Sequence, residues 1–327
     1  MEEPNTLVRW TIFVFASGEA AFLGAFLVAT VVALGFHGGR VRTLRPMFVA
    51  AALIVGLILI ACGSPVVPVW FQILTVIWII YVLVSLRAQA VSMELRGHAA
   101  AHAPRLTVAE RLRFFSPFLW LLTGVAIELP YWRWSPPAAM IQKLLVIGDS
   151  VTAGLNDGEE TWPRHLSQMA DVAVSDASQP GATLRSARQQ HRLLADQSGL
   201  SLLEIGGNDL LAGLPVVQFE ADLSELLADV TRSGQPVVMF ELPLPPLCSA
   251  YCAAQRRQAG RYHVTLIPKR LFIQILTSRG ATVDGIHLSA FGQQQMMQCI
   301  RQLFGDRLRA GRGTWQRFER TSNGAGS

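Results

Sequence analysis

The chain has 327 residues, 51% of them hydrophobic and only 16% charged, with a formal net charge of +5 at pH 7. One soluble globule carries about a quarter charged residues, and here the apolar excess gathers before residue 135, which points to a membrane part followed by a soluble part. The cations are arginines apart from Lys143 and Lys269 and form no patch interleaved with aromatics, so a nucleic-acid partner is set aside; four cysteines are too few for a disulfide scaffold.

Taken in order, the first stretch reads as a helical membrane module over residues 1–135, with about four spans. The first span lies within Trp10–Phe36, the second is Met47–Cys62 and the third Val69–Leu86. These lengths lie near the roughly 20 apolar residues that cross a bilayer. A fourth segment, Phe114–Leu129, carries Pro117 and Glu128 and is flanked by Tyr131, Trp132 and Trp134, residue types that gather at a headgroup boundary. Arg40, Arg42 and Arg45 place the first loop inside, the uncharged Gly63–Pro68 loop lies outside, and Arg87, Arg96, Arg105, Arg111 and Arg113 return the third loop inside. A spanning fourth segment then puts everything after Trp134 on the extracytoplasmic side. Glu2 and Glu3 with a long apolar run argue against a cleavable signal peptide. Glu19, within the first span, reads as a carboxylate near the outer end of a tilted helix.

From Gln142 the pattern changes. Short apolar runs at Lys143–Ile147, Val172–Asp176, Leu200–Ile205, Pro236–Glu241 and Val264–Ile267 predict strands. Between and after them, Trp162–Ala170, Thr183–Ala195, Val217–Arg232, Pro268–Ser278 and Ala290–Arg309 predict helices. This alternation predicts an α/β domain over residues 142–310, with a parallel sheet covered on both faces. The Gly-, Ser- and Arg-rich residues 311–327 read as a disordered tail.

Polar residues collect in the turns after the strands, which share one edge of a parallel sheet. They are Gly148-Asp149-Ser150, then the turn holding Gly181, then Gly206-Gly207-Asn208-Asp209, and finally Asp284-Gly285-Ile286-His287. A serine hydroxyl attacks only when a base takes its proton. His287 is the candidate base, and Asp284, three residues earlier, can hold its ring in the needed tautomer. The developing oxyanion needs donors, and the Asn208 amide with the backbone N–H groups of Gly181 and Ser150 can supply them.

These four blocks together resemble the SGNH (GDSL) hydrolases, over roughly Gln142 to Leu308, nearest the compact thioesterase/lysophospholipase-like branch. The resemblance implies a three-layer α/β/α flavodoxin-like fold and ester hydrolysis without metal or cofactor. It also implies Ser150, His287 and Asp284 as the triad, with Ser150, Gly181 and Asn208 as the oxyanion hole. The second block departs from the family pattern, with Asp176 near a frequent asparagine and Pro180 directly before Gly181.

Other residues are weighed and set aside. Cys248 and Cys252, read in a loop after the fourth strand, could be bridged or free, and with His263 are too few for a zinc site. Cys62 and Cys299 read as small buried residues, and His165 and His191 as surface residues on helices. Asp149 reads as a turn stabiliser, and Arg301, Arg307, Arg309 and Arg312 as a solvated face. The expectation is a membrane-anchored serine esterase whose partners are membrane lipids and an ester of a lipid or an acylated envelope glycan. The alternatives are an acyltransferase to such a glycan and a catalytically silent binding module.

Overall fold

A computed structural model describes residues 5–36, 46–63, 66–96, 108–156, 158–169, 172–243, 245–308 and 314–318. The chain divides into two compact units, Gly18–Pro130 and Met1–Ser17 with Tyr131–Ser327. Of the arginines that set the expected orientation, Arg40, Arg42, Arg45 and Arg105 lie outside the described residues, whereas Arg87 and Arg96 fall in the helix Val69–Arg96 and Arg111 and Arg113 in the helix Val108–Trp132 rather than in a loop.

The first predicted span is two helices rather than one. Helix α1 covers Thr6–Ala16 and α2 covers Glu19–Phe36. Between them Gly18 takes φ +87, open to glycine and costly for other residues. Glu19 therefore stands in the first turn of α2, where a carboxylate complements the helix dipole.

The helical unit continues with α3 (Pro46–Cys62), α4 (Val69–Arg96) and α5 (Val108–Trp132). Helices α2 and α3 touch through glycines: a Cβ on Gly24 would strike the Gly56 carbonyl, and one on Gly56 would lie 2.7 Å from Val28 Cγ2. Small residues at a crossing let two backbones approach this closely. In α4 and α5, Trp120 Nε1 donates to Thr75 Oγ1 at 2.9 Å and Trp78 Nε1 to Ser116 Oγ at 3.2 Å. Glu128, 4% exposed, accepts the Val66 N–H at 3.0 Å. Apolar side chains such as Phe26, Ile54, Ile58, Ile77 and Leu119 are exposed. No single helix among the described residues is long and apolar enough to cross a membrane; only Thr6–Ala16 and Glu19–Leu34, taken as a broken pair, reach that size.

The sheet unit alternates strand and helix, and adds to the predicted elements a long helix between the fourth and fifth strands: β1 (Lys143–Gly148), α6 (Ser150–Ala153), α7 (Trp162–Met169), β2 (Ala173–Asp176), α8 (Leu184–Leu194), β3 (Leu200–Glu204), α9 (Gly207–Leu211) and α10 (Val216–Val230). It ends with β4 (Val237–Phe240), α11 (Ser249–Arg261), β5 (Thr265–Ile267), α12 (Lys269–Leu276), α13 (Ala290–Phe304) and β6 (Trp315–Arg317). The sheet is wholly parallel in the order β5-β4-β3-β1-β2-β6. Alternate residues feed two apolar layers. Leu144, Val146, Leu202 and Phe240 pack in one core cluster with Trp162 of α7, Phe272 of α12 and Ile300 of α13. Leu145, Ile147, Leu203 and Met239 are buried too, as are Leu184 of α8 and Phe219, Leu223 and Leu227 of α10. Helices α8, α10 and α11 pack side by side, as do α7, α13 and α12, and α1 lies on α12. The result is three layers, α/β/α.

Three expectations are corrected. Residues 315–317 are a sixth strand paired with β2 rather than tail, and Trp315 is seated against the core. Cys248 and Cys252 cap and begin α11 rather than lying in a loop, and both are free. Tyr131 and Trp134, read as a headgroup belt, sit on the sheet unit: the Arg256 guanidinium lies 3.7 Å from the Tyr131 ring centroid, and Trp134 Nε1 donates to the Leu303 carbonyl at 2.7 Å. Residues 309–313 and 319–327, with Arg309 and Arg312, lie outside the described residues.

Candidate active site

The first turn is built by tight approach and by caps. A Cβ on Gly148 would lie 2.8 Å from Thr152 Cβ, so glycine is required where β1 meets α6. Gln190, fully buried on α8, clamps that glycine by accepting its N–H and donating to its carbonyl, each at 3.0 Å. Asp149 is the N-cap of α6 and accepts the Val151 N–H at 3.0 Å. Ser150 follows as the first helical residue, 8% exposed, where the N–H has no intrahelical carbonyl.

Under this turn lies a group that none of the four sequence blocks contains. Glu204 ends β3, 2% exposed, and accepts from Thr152 Oγ1 at 3.0 Å. Its carboxyl is hydrogen-bonded to that of Asp149, and burial, reinforced by the Asp149 charge, pushes it well above the ordinary carboxylate range. Burial raises Asp149 as well. The sequence signal was a lone charge in the apolar run Leu200–Ile205.

The second turn is held by Asp176, which accepts from Ser178 N at 3.0 Å and Ser178 Oγ at 2.6 Å. Burial lifts the Asp176 carboxyl to about 6, although both Ser178 bonds pull it down. Gln179 N donates to the Gly148 carbonyl at 3.1 Å and stitches this turn to the first. Gly181 is exposed at φ +70, and its N–H meets no acceptor among the described residues.

The third turn starts at Gly206, whose φ of +107 is a glycine conformation. Asn208 donates its amide to the Ala182 carbonyl at 2.8 Å and reaches Asp149 Oδ2 at 3.4 Å. Asp209 caps α8 by accepting the Leu184 N–H at 2.9 Å. Ser150 and Asn208 thus follow the adjacent strands β1 and β3, from which the chain runs outward in opposite directions across the sheet. Sites of doubly wound folds gather at that crevice.

The last turn is a small hairpin. Val283 N donates to the His287 carbonyl at 2.9 Å, and Gly285 at φ +95 makes the reversal. Asp284 Oδ1 accepts from the N–H groups of Ile286 and His287 at 3.0 and 2.8 Å. Its Oδ2 lies 2.6 Å from His287 Nδ1, and His287 Nε2 lies 3.0 Å from Ser150 Oγ. Burial would raise the Asp284 carboxyl, but the His287 and Ile286 hydrogen bonds and the imidazole outweigh it and hold it down at about 2. A cavity of about 480 Å3 opens on Ser150, Asn208 and His287; Gly181 is outside its lining. The arrangement has a hydroxyl, a base in contact with it, an anion orienting the base, and amide donors close by. That is the equipment of acyl transfer.

The sequence pattern of the GDSL-like Lipase/Acylhydrolase family matches residues 146–295, which include all four turns. An arylesterase of Vibrio mimicus is 35% identical over 174 residues, which are 49% of this chain and 87% of that protein. The chain belongs to the GDSL-like lipase/acylhydrolase family. It is a hydrolase of the SGNH/GDSL type. Thioesterase 1/protease 1/lysophospholipase L1 of Escherichia coli (strain K12) is 29% identical over 186 residues, 54% of this chain and 88% of that protein. The crystal structure of TesA has 26% sequence identity and a TM-score of 0.45, and the match covers 51% of this chain and 100% of that one.

Proposed function

We propose that this hydrolase cleaves carboxylic esters of a lipid or an acylated envelope glycan, with Ser150 as nucleophile. The Ser150 Oγ attacks the ester carbonyl while His287 Nε2 takes its proton, and Asp284 stabilises the imidazolium at Nδ1. The carbonyl oxygen becomes an oxyanion facing the N–H groups of Ser150 and Gly181 and the amide of Asn208. Collapse breaks the ester C–O bond, His287 gives its proton to the leaving alcohol, and an acyl-serine remains. Water then attacks with His287 as base, and the acid leaves. The single observation that carries this reading is the unbroken relay, 2.6 Å from Asp284 to His287 and 3.0 Å from His287 to Ser150.

The site-bearing domain, residues 142 to about 318, is anchored in this reading by the helical residues before it, on the extracytoplasmic side. The exposed apolar side chains of α2 to α5 support the anchoring, and the arginine-rich first and third loops support the side. Protease accessibility of the sheet unit in sealed vesicles tests the side.

The chemistry is tested with p-nitrophenyl esters and a fluorophosphonate probe. The wild type hydrolyses the esters and is labelled; Ser150→Ala abolishes both, and His287→Ala abolishes labelling. Equal hydrolysis by wild type and Ser150→Ala sinks the assignment.

A further inference from the structure

The cavity beside Ser150 has one wall that the matched family region does not contain. Helix α1 lies about 130 residues before the first turn in sequence and outside residues 146–295, yet it belongs to the compact unit of the sheet and rests on α12. Its residues Thr11, Ile12, Phe15 and Ala16 line the cavity. These are two i,i+4 pairs, so they form one stripe of the helix. Phe272, Ile273 and Leu276 of α12, with Leu242 after β4, line the cavity too. Asp149, Ser150, Glu204, Asn208 and His287 bring polar groups to the site end, and the α1 and α12 walls are apolar apart from the Thr11 hydroxyl, which donates to the Leu7 carbonyl at 2.9 Å. A volume of about 480 Å3 is that of a small-molecule site.

We propose that the cavity holds the acyl chain of the ester attacked by Ser150, and that helix α1 is its specificity wall, Ile12 and Phe15 gripping the chain and Ala16 leaving room for it. The proposal rests on Ser150 being the nucleophile. Its chemistry follows from the lining: an apolar cleft beginning at the reacting hydroxyl rewards methylenes, each of which transfers favourably from water, and gives nothing to a polar alcohol group. Selectivity of the hydrolase for chain length is therefore set by a helix at the far end of the sequence from the triad.

The test uses the full-length protein and p-nitrophenyl acetate, butyrate, octanoate and decanoate. Ile12→Ala/Phe15→Ala lowers kcat/KM for decanoate about tenfold and leaves acetate within about twofold. Ala16→Trp shortens the longest chain accepted. Trp10→Ala, at an exposed position of α1 outside the lining, leaves the profile unchanged. Retained acetate hydrolysis certifies folding, and an unchanged decanoate-to-acetate ratio in both lining variants overturns the proposal. A second measurement needs no variant: a long-chain alkyl fluorophosphonate with a terminal diazirine, attached to Ser150 and irradiated, cross-links to the peptide holding Thr11–Ala16. Cross-links only to other walls overturn the α1 assignment, whereas no attachment at Ser150 overturns the catalytic reading itself.

Discussion

Glu204 and Asp149 share a hydrogen bond between two buried carboxyl groups directly beneath the turn that presents Ser150. Two carboxylates in contact cannot both ionise cheaply, and Glu204, the more deeply buried, holds the proton. A glutamine there donates to Asp149 and accepts from Thr152 as protonated Glu204 does. A carboxyl raised by folding stabilises most below its unfolded value, and that stability is lost as pH rises toward the folded value. Glu204→Gln cannot ionise, so its stability relative to wild type rises as pH climbs above the ordinary carboxylate range. Urea midpoints followed by esterase activity check this; a difference that does not change with pH refutes the shared proton.

Asp284 has the opposite shift. Its carboxyl is held at about 2, so the anion persists above that pH and is lost only as pH falls through it. Its protonation therefore plays no part in any activity loss between pH 7 and pH 4. Asp284→Asn keeps the shape and favours the wrong histidine tautomer, and kcat falls about 10³- to 10⁴-fold with KM nearly unchanged. Steady-state kinetics decide it: a loss smaller than tenfold removes Asp284 from the relay.

Asn208 holds the Ala182 carbonyl and lines the cavity beside Ser150. Removing one oxyanion donor costs about 10²- to 10³-fold in kcat. Asn208→Asp keeps the size, removes the amide donor and is expected to fall in that range, while fluorophosphonate labelling, slowed in proportion, still depends on Ser150. Full activity in Asn208→Asp would exclude the oxyanion role.

A buried ion network fixes the wall that α12 gives the cavity. Arg256 Nε and Glu241 Oε1 are 2.6 Å apart, with side chains 4% and 1% exposed. Cys252 Sγ donates to Glu241 at 2.8 Å, and Lys269 N, at the start of α12, reaches its other oxygen at 3.4 Å. Burial would raise Glu241, but the Arg256 and Lys269 charges hold it below its usual range. Breaking such a pair on one side costs about 3–5 kcal/mol, whereas replacing both partners costs far less. Arg256→Met is thus strongly destabilised, and Glu241→Gln/Arg256→Met recovers most of the loss in urea unfolding. Additive effects of the two substitutions would contradict the coupling.

Much of the sheet unit was legible because its strands are buried on both faces and so read as plain apolar runs, Leu144–Ile147 above all. The four turns were legible because glycine, serine, asparagine and histidine follow those runs directly. Helix α11 was not, since its buried face is Cys252, Ala254, Gln255, Arg256, Gln258 and Ala259. That face is polar, and partners from elsewhere satisfy it, Gln255 bonding both Leu242 N and the Phe240 carbonyl. Strand β6 was hidden because three residues in a Gly- and Arg-rich setting carry no period. The role of α1 was hidden for another reason: hydropathy reports that a helix is apolar and is silent on which surface takes it.

Strand β6 also changes what the sheet presents to other molecules. Without Trp315–Arg317, the backbone groups of β2 from Val174 to Asp176 would form an open parallel edge, and an unpaired edge is a template for another chain. Phe318 N reaches past the strand to the Asp176 carbonyl at 2.7 Å and closes the last of it. Strand β6 then becomes the edge itself, only three residues long, and a very short edge strand is a poor template for pairing with another chain.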